Sequence, residues 1–292
     1  MIRTLAILLV LSFSILMFAS SLRSADITLS CNCPPGFELV EDNRCINRNL
    51  YQQYYSLRNK GVGGLKTALP EARDGFSPQQ IDLGRYLFFD PVLSGDGTIS
   101  CASCHDPNKG LADGLGKSIG VTGQPVDRSA PSLWNVAYLE SFFWDARASS
   151  LEEQMLGPLY AENEMGNTED NLLETINDIP TYKDLFRQAF PESESPLITA
   201  NQIYTAIAAF ESSLISLNSR YDLYAHGFHE ALNKNEIEGL NVFRSFVARC
   251  AECHTPPLFT NQQIAVIGTP EAEGDPFDPG TETHSALQFR FC

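Results

Sequence analysis

Basic side chains are scarce in this sequence. Among its 292 residues, 20 are Lys or Arg and 36 are Asp or Glu, which gives a formal net charge of −16. A protein that binds nucleic acid needs a basic face for the phosphates, so nucleic acid is not expected as a partner. The charge predicts a well-solvated surface, and it also suits a basic partner such as a small electron-carrier protein.

Long apolar runs are lacking beyond the N-terminal segment. There, Arg3 precedes an apolar stretch from Ile7 to Phe18, and the small residues 19–21 follow it. The stretch is shorter than the roughly 20 residues of a membrane span. We therefore predict a signal peptide over residues 1–21, export to the periplasm and no membrane association after cleavage, with an uncleaved anchor as the alternative.

Strand-like alternation and tandem repeats are also lacking, whereas capped helical segments are frequent. Ser77, Pro78 and Gln80 form a capping box that predicts a helix ending near Phe89. Ser149 or Ser150 predicts a helix that ends at Gly157-Pro158, and Thr168 predicts one that ends before Pro180. Thr199 with Gln202 and Asn233 with Glu236 form further capping boxes. The helix that starts at Asn233 is predicted to lead directly to Cys250, with Ile237, Leu240, Phe243 and Val247 on its apolar face. The predicted fold class is mostly α with long loops, and its 43% apolar residues suffice for one large domain or two modest ones.

Three of the eight cysteines crowd into a turn-rich N-terminal segment, residues 22–48. Export implies an oxidising compartment, where such clusters usually form disulfides. Cys33 and Cys45 flank a Pro-Pro-Gly turn, which makes them a plausible pair. Cys31 and the final residue, Cys292, are left without an assigned partner.

Four other cysteines lie in two copies of the pattern C-x-x-C-H. The copies are Cys101 to His105 and Cys250 to His254. This is the attachment signature of c-type haem: Cys101, Cys104, Cys250 and Cys253 would bond the vinyl groups, and His105 and His254 would ligate iron. A redox pair or half of a zinc site is the alternative, but zinc needs further nearby ligands, and His226, His229 and His284 are the remaining histidines. The sequence therefore predicts two covalently bound haem c groups.

Three blocks of the chain resemble the bacterial dihaem cytochrome c peroxidases and the related MauG-type enzymes. They are LGRYLFFDPVLSGDGTISCASCHDP, RSAPSLWNVAYLESFFWDARASSLEEQMLGPLYAENEMGN, and YDLYAHGFHEALNKNEIEGLNVF followed by CAECHTPPLFTNQQIAVIG. The resemblance covers Ser77 to Gly268. It implies two cytochrome c-like haem domains: a first, peroxidatic domain over 49–218 and a second, electron-transfer domain over 219–292.

The resemblance also implies three residues of the reaction site. Trp144 falls where the family has a tryptophan between the two haems, and Gln154 and Glu164 fall where it lines the distal peroxide pocket of the first haem. Without the motif, Trp144 would be taken as a core aromatic and Glu164 as a solvated turn residue. A buried carboxylate near the iron can shuttle the peroxide proton, and an amide can orient the substrate.

The sequence departs from the family in three places. In the peroxidases, a histidine in the loop after the first C-x-x-C-H segment can cap the first iron. The corresponding loop here, Asp106 to Arg128, has no histidine, and the MauG-type members lack this cap too. Ser129-Ala130-Pro131 lacks the asparagine that contributes to the family's calcium site, so calcium is only a weak expectation. The family continues beyond the segment that resembles Ser285–Phe291 and takes the second haem's other axial ligand from there, which predicts a truncated second domain.

The predicted function is reduction of hydrogen peroxide by an exported dihaem cytochrome. Electrons from a small donor protein, a cytochrome c or a cupredoxin, would pass through the second haem to the first. One alternative is a MauG-type oxidase that modifies a side chain of a partner protein. The other is a non-enzymatic electron-transfer cytochrome, which would need no distal acid.

Overall fold

A computed structural model describes residues 27–48, 69–265, 270, 273–274 and 277–283. The predicted signal peptide, His284, Cys292 and the segment resembling the family's C-terminal extension lie outside these residues. Within them, no helix combines the length and the apolar character needed to cross a bilayer.

The described residues are mostly helical, as predicted, with one small antiparallel hairpin. Its strands, β1 and β2, are Phe37–Val40 and Arg44–Asn47. The helices are α1 Pro78–Phe89, α2 Cys101–Cys104, α3 Leu151–Tyr160, α4 Glu169–Asp178, α5 Pro180–Ala189, α6 Ala200–Ser212, α7 Arg220–Ala225, α8 Lys234–Phe243 and α9 Cys250–Cys253. Short 3₁₀ turns and long loops join them.

Local capping accounts for most helix starts. The side-chain oxygens of Ser77, Thr199 and Asn233 accept hydrogen bonds from backbone N–H groups of the first turn, and each makes the reciprocal capping box. Ser150 and Thr168 cap α3 and α4 through their side chains. These predicted starts are confirmed because each cap is satisfied within three residues of chain.

The predicted ends are less accurate. α3 includes Pro158 and continues to Tyr160, because Pro158 lies in the last turn and Ala161 N–H still reaches the Gly157 carbonyl. α8 ends at Phe243, so Val247 lies outside it and a separate segment leads to Cys250. The hairpin was not predicted, since its four-residue strands show no clear alternation.

The core forms where α1 lies against α6. A Cβ built on Gly84 would sit 1.8 Å from the carbonyl oxygen of Ala206, so the two helix backbones approach as closely as glycine permits. Fully buried Leu83 and Leu87 of α1 and Ile203 of α6 fill this contact. Ile99 and Cys101, at the end of the loop that follows α1, pack against this core.

The predicted Cys33–Cys45 disulfide joins the hairpin to the residues just before it. The hairpin is held on the helix pair by packing against Ile81 of α1 and Ala209 of α6. Cys31 is exposed with a free thiol. Asn47 Nδ2 donates to the hydroxyl of fully buried Tyr138 at 2.7 Å. The N-terminal segment is thus an integral part of the first half of the fold.

Candidate functional site

The first C-x-x-C-H segment lies on one helical turn. The backbone N–H of His105 donates to the carbonyl of Cys101 at 2.9 Å, which closes α2. The thiols of Cys101 and Cys104 are free and lie one turn apart. Because three residues make about one turn, both thiols leave the same side of the helix, as attachment to one edge of a porphyrin requires.

His105 has the geometry of an iron ligand. Its Nδ1 lies 3.0 Å from the Leu111 carbonyl oxygen, and an oxygen of this kind can only accept, so Nδ1 carries the proton. The lone pair is then on Nε2, the nitrogen that binds the metal. Burial lowers the pKa of His105, which keeps the imidazole neutral and able to ligate.

The second C-x-x-C-H segment repeats this arrangement. The Nδ1 of His254 lies 3.3 Å from the Phe259 carbonyl, and both acceptor residues, Leu111 and Phe259, have a positive φ, of 60° and 57°. A phenylalanine of the preceding helix also faces each histidine, Phe88 at 6.4 Å and Phe243 at 6.5 Å between ring centroids. The two segments are therefore local structural repeats.

The two segments differ in their surroundings. His105 is half-buried, whereas Cys250, Cys253 and His254 are exposed. Ahead of them, Phe246 and Val247 are each 94% exposed.

The sequence-predicted Glu164 lies beside the first segment. It follows α3 in a turn in which its N–H donates to the Ala161 carbonyl, and its own carbonyl accepts from Val121 N–H at 2.8 Å. A Cβ on Gly120 would sit 1.9 Å from the carbonyl oxygen of Asn163, so the loop after His105 passes directly against this turn.

The carboxyl of Glu164 acts electrostatically on the attachment site. With burial and Asp113, it raises the pKa of the Cys104 thiol. Its own pKa is raised by burial, lowered by the Arg147 guanidinium and raised by Asp127. A carboxyl whose pKa is raised in this way accepts a proton more readily than a solvated carboxylate does.

Trp144 and Gln154 lie on other segments than the Glu164 turn, Trp144 in a loop and Gln154 on α3. Trp144 is 63% exposed, and its indole N–H donates to the Ser129 carbonyl at 3.0 Å. Gln154 is half-buried on α3. Within the part of the chain that the structure describes, no side-chain hydrogen bond joins Trp144, Gln154 and Glu164 to one another.

Sequence reasoning missed a charged cluster next to Trp144. Asp145 is buried and binds Arg147 at 2.8 Å and Arg128 at 2.7 Å, and Arg128 also binds Asp278. The guanidinium of Arg147 lies 3.4 Å from the ring centroid of Phe143. The Asp145–Arg147 pair could have been suspected from its i, i+2 spacing, but Arg128–Asp278 joins residues 150 positions apart.

The donor set fits haem. Each segment offers two free thiols and one histidine, whose Nε2 faces away from a satisfied Nδ1. Among the described residues, no three His, Cys, Asp or Glu side chains gather as a metal site would require. Haem iron needs no such group, because the porphyrin supplies four nitrogens and the protein adds an axial ligand. Calcium stays a prediction, since backbone carbonyls can also supply its ligands.

Proteins named MauG or cytochrome c551 peroxidase match about two thirds or more of this chain. It is 38% identical over 192 residues to the methylamine utilization protein MauG of Methylorubrum extorquens, covering 66% of this chain and 54% of that protein. It is 36% identical over 210 residues to the cytochrome c551 peroxidase of Nitrosomonas europaea, covering 72% and 60%. The chain thus spans little more than half the length of these relatives.

Solved structures give the same picture. A MauG-like protein associated with microbial copper homeostasis aligns with a TM-score of 0.59 and 33% identity, over 65% of this chain and 57% of that one. The diheme peroxidase BthA of Burkholderia thailandensis aligns with a TM-score of 0.56 and 27% identity, over 66% and 59%.

A family model described as di-haem cytochrome c peroxidase matches residues 78–230. The match includes the first attachment segment, Trp144, Gln154 and Glu164, and it covers more than half of the 292 residues. Haem c is the cofactor that this family implies. The chain belongs to the di-haem cytochrome c peroxidase family.

Proposed function

We propose that this protein reduces hydrogen peroxide with electrons from an external donor. The observation that carries the proposal is the half-buried Glu164 close enough to Cys104 to raise the pKa of its thiol, with its own pKa raised by burial. Reduction of one peroxide consumes two electrons and two protons and releases two waters. A protein that only carries electrons needs no such proton-exchanging group at the first site.

The cofactors in this proposal are two covalent haem c groups. Cys101, Cys104 and His105 would hold the first, in a domain over 49–218, and Cys250, Cys253 and His254 the second, over 219–292. When bound, haem supplies the iron that takes up peroxide and accepts electrons. Two mass additions that survive denaturation, reduced to one in Cys250→Ser/Cys253→Ser, are the expected result.

The chain's own residues handle the proton and the substrate. Glu164 takes the proton from one peroxide oxygen and returns it to the other, and burial, which raises its pKa, makes it a better proton acceptor than a solvated carboxylate. Gln154 orients the peroxide through its amide. Trp144 passes electrons between the two haem sites. Export to the periplasm and a small donor protein, a cytochrome c or a cupredoxin, complete the proposal.

The test replaces Glu164 with glutamine, which keeps the size but cannot exchange the proton. General acid–base catalysis is worth about 10²–10⁴-fold, and the peroxide reaction of Glu164→Gln should fall by that factor in stopped-flow measurements. The matched control is Glu162→Gln, an exposed carboxyl in the same turn. Wild-type peroxide reactivity in Glu164→Gln would assign Glu164 to the turn alone.

A second candidate is an oxidase that modifies a side chain of a partner protein. It is favoured by the loop from Asp106 to Arg128, which has no histidine to close the first site, and by the relative named MauG. A high-spin ferric signal in electron paramagnetic resonance, without prior reduction, is expected for such an open site. Peroxide turnover with a reduced small cytochrome distinguishes the candidates, because the oxidase would turn over slowly with it.

A further inference from the structure

Trp144 is presented by a tight turn. Phe142 and Ala148 pair through their backbones, with the Phe142 N–H donating to Ala148 at 2.9 Å. Inside the turn, Phe143 and Ala146 have φ of 66° and 57°, a conformation that non-glycine residues adopt only under constraint. With the indole 63% exposed, packing holds little of it, and its orientation depends on polar contacts.

Arg128 and Ser129, two consecutive residues of another segment, contact Asp145 and Trp144 of this turn in antiparallel order. The Arg128 Nη1 donates to Asp145 Oδ2 at 2.7 Å, and the Ser129 carbonyl accepts from Trp144 Nε1 at 3.0 Å. Residue 128 therefore faces 145, and residue 129 faces 144. The ion pair and the indole hydrogen bond therefore lie at adjacent positions of both segments.

Arg128 is itself fixed from two sides. Its Nε and Nη2 donate to the two carboxylate oxygens of Asp278, both at 2.7 Å, in the paired geometry that a guanidinium and a carboxylate favour. On the other side, Asp145 is 4% exposed and is also bound by Arg147. The guanidinium is charged at all working pH values. Although burial opposes this, the pKa of Asp145 is lowered by its two arginines, and the pKa of Asp278 is lowered by its contact with Arg128, so both carboxylates are ionised at neutral pH as well.

We propose that Arg128 is a positioning residue that holds the indole of Trp144 in place for electron transfer between the two attachment sites. The proposal rests on the function proposed above, in which Trp144 lies on the electron path. Loss of the ion pair frees the 128–129 segment, so that the Ser129 carbonyl no longer determines where the indole N–H points. Asp145 keeps Arg147 as a partner, so the turn itself persists.

The test is Arg128→Met, made in a Trp134→Phe background so that Trp144 is the remaining tryptophan. In the haem-loaded protein, ultraviolet resonance Raman spectra should show the indole N–H band shift toward a weaker hydrogen bond. After one equivalent of peroxide, re-reduction by a small donor should slow by at least about tenfold, since small displacements of a positioned group have effects of this size or larger. Arg220→Met, which breaks an equally paired guanidinium–Glu236 contact elsewhere, should change neither.

A second variant protects the test against misfolding. Asp278→Asn removes the charge on the outer side of Arg128 and leaves Asp145 untouched, and it should shift the same band by less. An unchanged indole band in both variants would overturn the positioning role. If Trp144→Phe re-reduces at the wild-type rate while Arg128→Met still shifts the band, the electron path is wrong but the positioning is right.

Discussion

At the scale of single residues, two charges act on Glu164 with opposite signs. Arg147 lowers its pKa and Asp127 raises it, while burial, the largest influence, also raises it. Arg147 is held in place by Asp145 and by the ring of Phe143. The proton affinity of the proposed catalytic acid is therefore set by a neighbouring loop as well as by burial.

Replacing Arg147 with methionine should move the pH dependence of the peroxide reaction. Glu164 must be ionised to accept a proton, so the rate rises with pH through its pKa. Without the Arg147 charge that pKa is higher, and the rise should shift to higher pH while the plateau stays within about threefold, since the proton acceptor itself is retained. Stopped-flow rates between pH 4 and 9 measure this, with Arg85→Met as control, and a shift to lower pH would contradict it.

Glu211 on α6 is a second perturbed carboxyl, and it lies in the core. It is 6% exposed, and burial with the nearby Glu152 raises its pKa to about 8, although Arg73 acts in the opposite direction. In the unfolded chain the pKa of this glutamate returns to its ordinary value of about 4.5, so between about pH 4.5 and 8 the folded chain holds a proton that the unfolded chain has lost. Stability should therefore fall as pH rises through this window.

Glu211→Gln removes that dependence. At pH 5 its free energy of unfolding should be close to that of the wild type, and at pH 8 it should be larger, because each pKa unit is worth about 1.4 kcal/mol. Urea unfolding at the two pH values measures the difference. Glu192→Gln, an exposed control, should follow the wild type, and a variant that lost stability equally at both pH values would refute the assignment.

At the scale of elements, the contact between α1 and α6 supports the first attachment segment. The carbonyl oxygen of Ala206 lies where the Cβ of an alanine at position 84 would be, and a backbone atom cannot move aside as a flexible side chain can. Any residue larger than glycine must push the helices apart. Residues 90–100 connect the end of α1 to Cys101, and Cys101 packs against the core that these helices form, so we expect the attachment site to depend on this contact.

Gly84→Ala should lower the free energy of unfolding by about 1–3 kcal/mol, the usual cost of overpacking. The chain offers a matched control in Gly239, inside α8, where a new Cβ meets no atom within 4 Å. Gly239→Ala should raise stability by about 0.5–1 kcal/mol through helix propensity. Thermal or urea unfolding of both variants tests the contrast, and equal effects would refute the close approach.

The features that the sequence predicts are those formed by residues close together in the chain. Caps such as Ser77 and Thr199 are satisfied within three residues, so local reading finds them. The attachment segments are equally local. By contrast, the positive φ of Leu111 and Phe259, which aims each carbonyl at a histidine, has no signature in residue type. Contacts such as Arg128–Asp278 depend on how distant loops meet, which periodicity does not encode.

At the scale of the whole molecule, polar contacts of Gln262 and of Asp278 join the region of the second attachment segment to the first half of the chain. Gln262 donates from Nε2 to the Tyr138 carbonyl at 3.0 Å and accepts from Glu140 N–H at 2.8 Å. The Arg128–Asp278 pair makes a second link between these regions. Tyr138 and Glu140 lie just before the Trp144 turn, and Arg128 binds Asp145 within it, so this turn lies beside both links.

Net charge acts at the same scale and leads to a prediction about the donor. With a formal charge of −16, the protein should attract a basic carrier over distances comparable to the Debye length, about 10 Å at 0.1 M salt. The second-order rate of re-reduction by a basic small cytochrome should fall at least about tenfold between low and physiological ionic strength, because steering is screened while the contact itself is not. Stopped-flow mixing of the peroxide-treated protein with reduced carrier measures this rate, and an uncharged small-molecule donor serves as the control and should show little change. An acidic carrier should react slowly at low salt and faster as salt rises.

The contradicting outcome is a basic carrier whose rate of re-reduction does not depend on salt. In that case the negative charge serves solvation alone, and apolar contact governs docking. The exposed Phe246 and Val247 beside Cys250 would then be the first residues to replace.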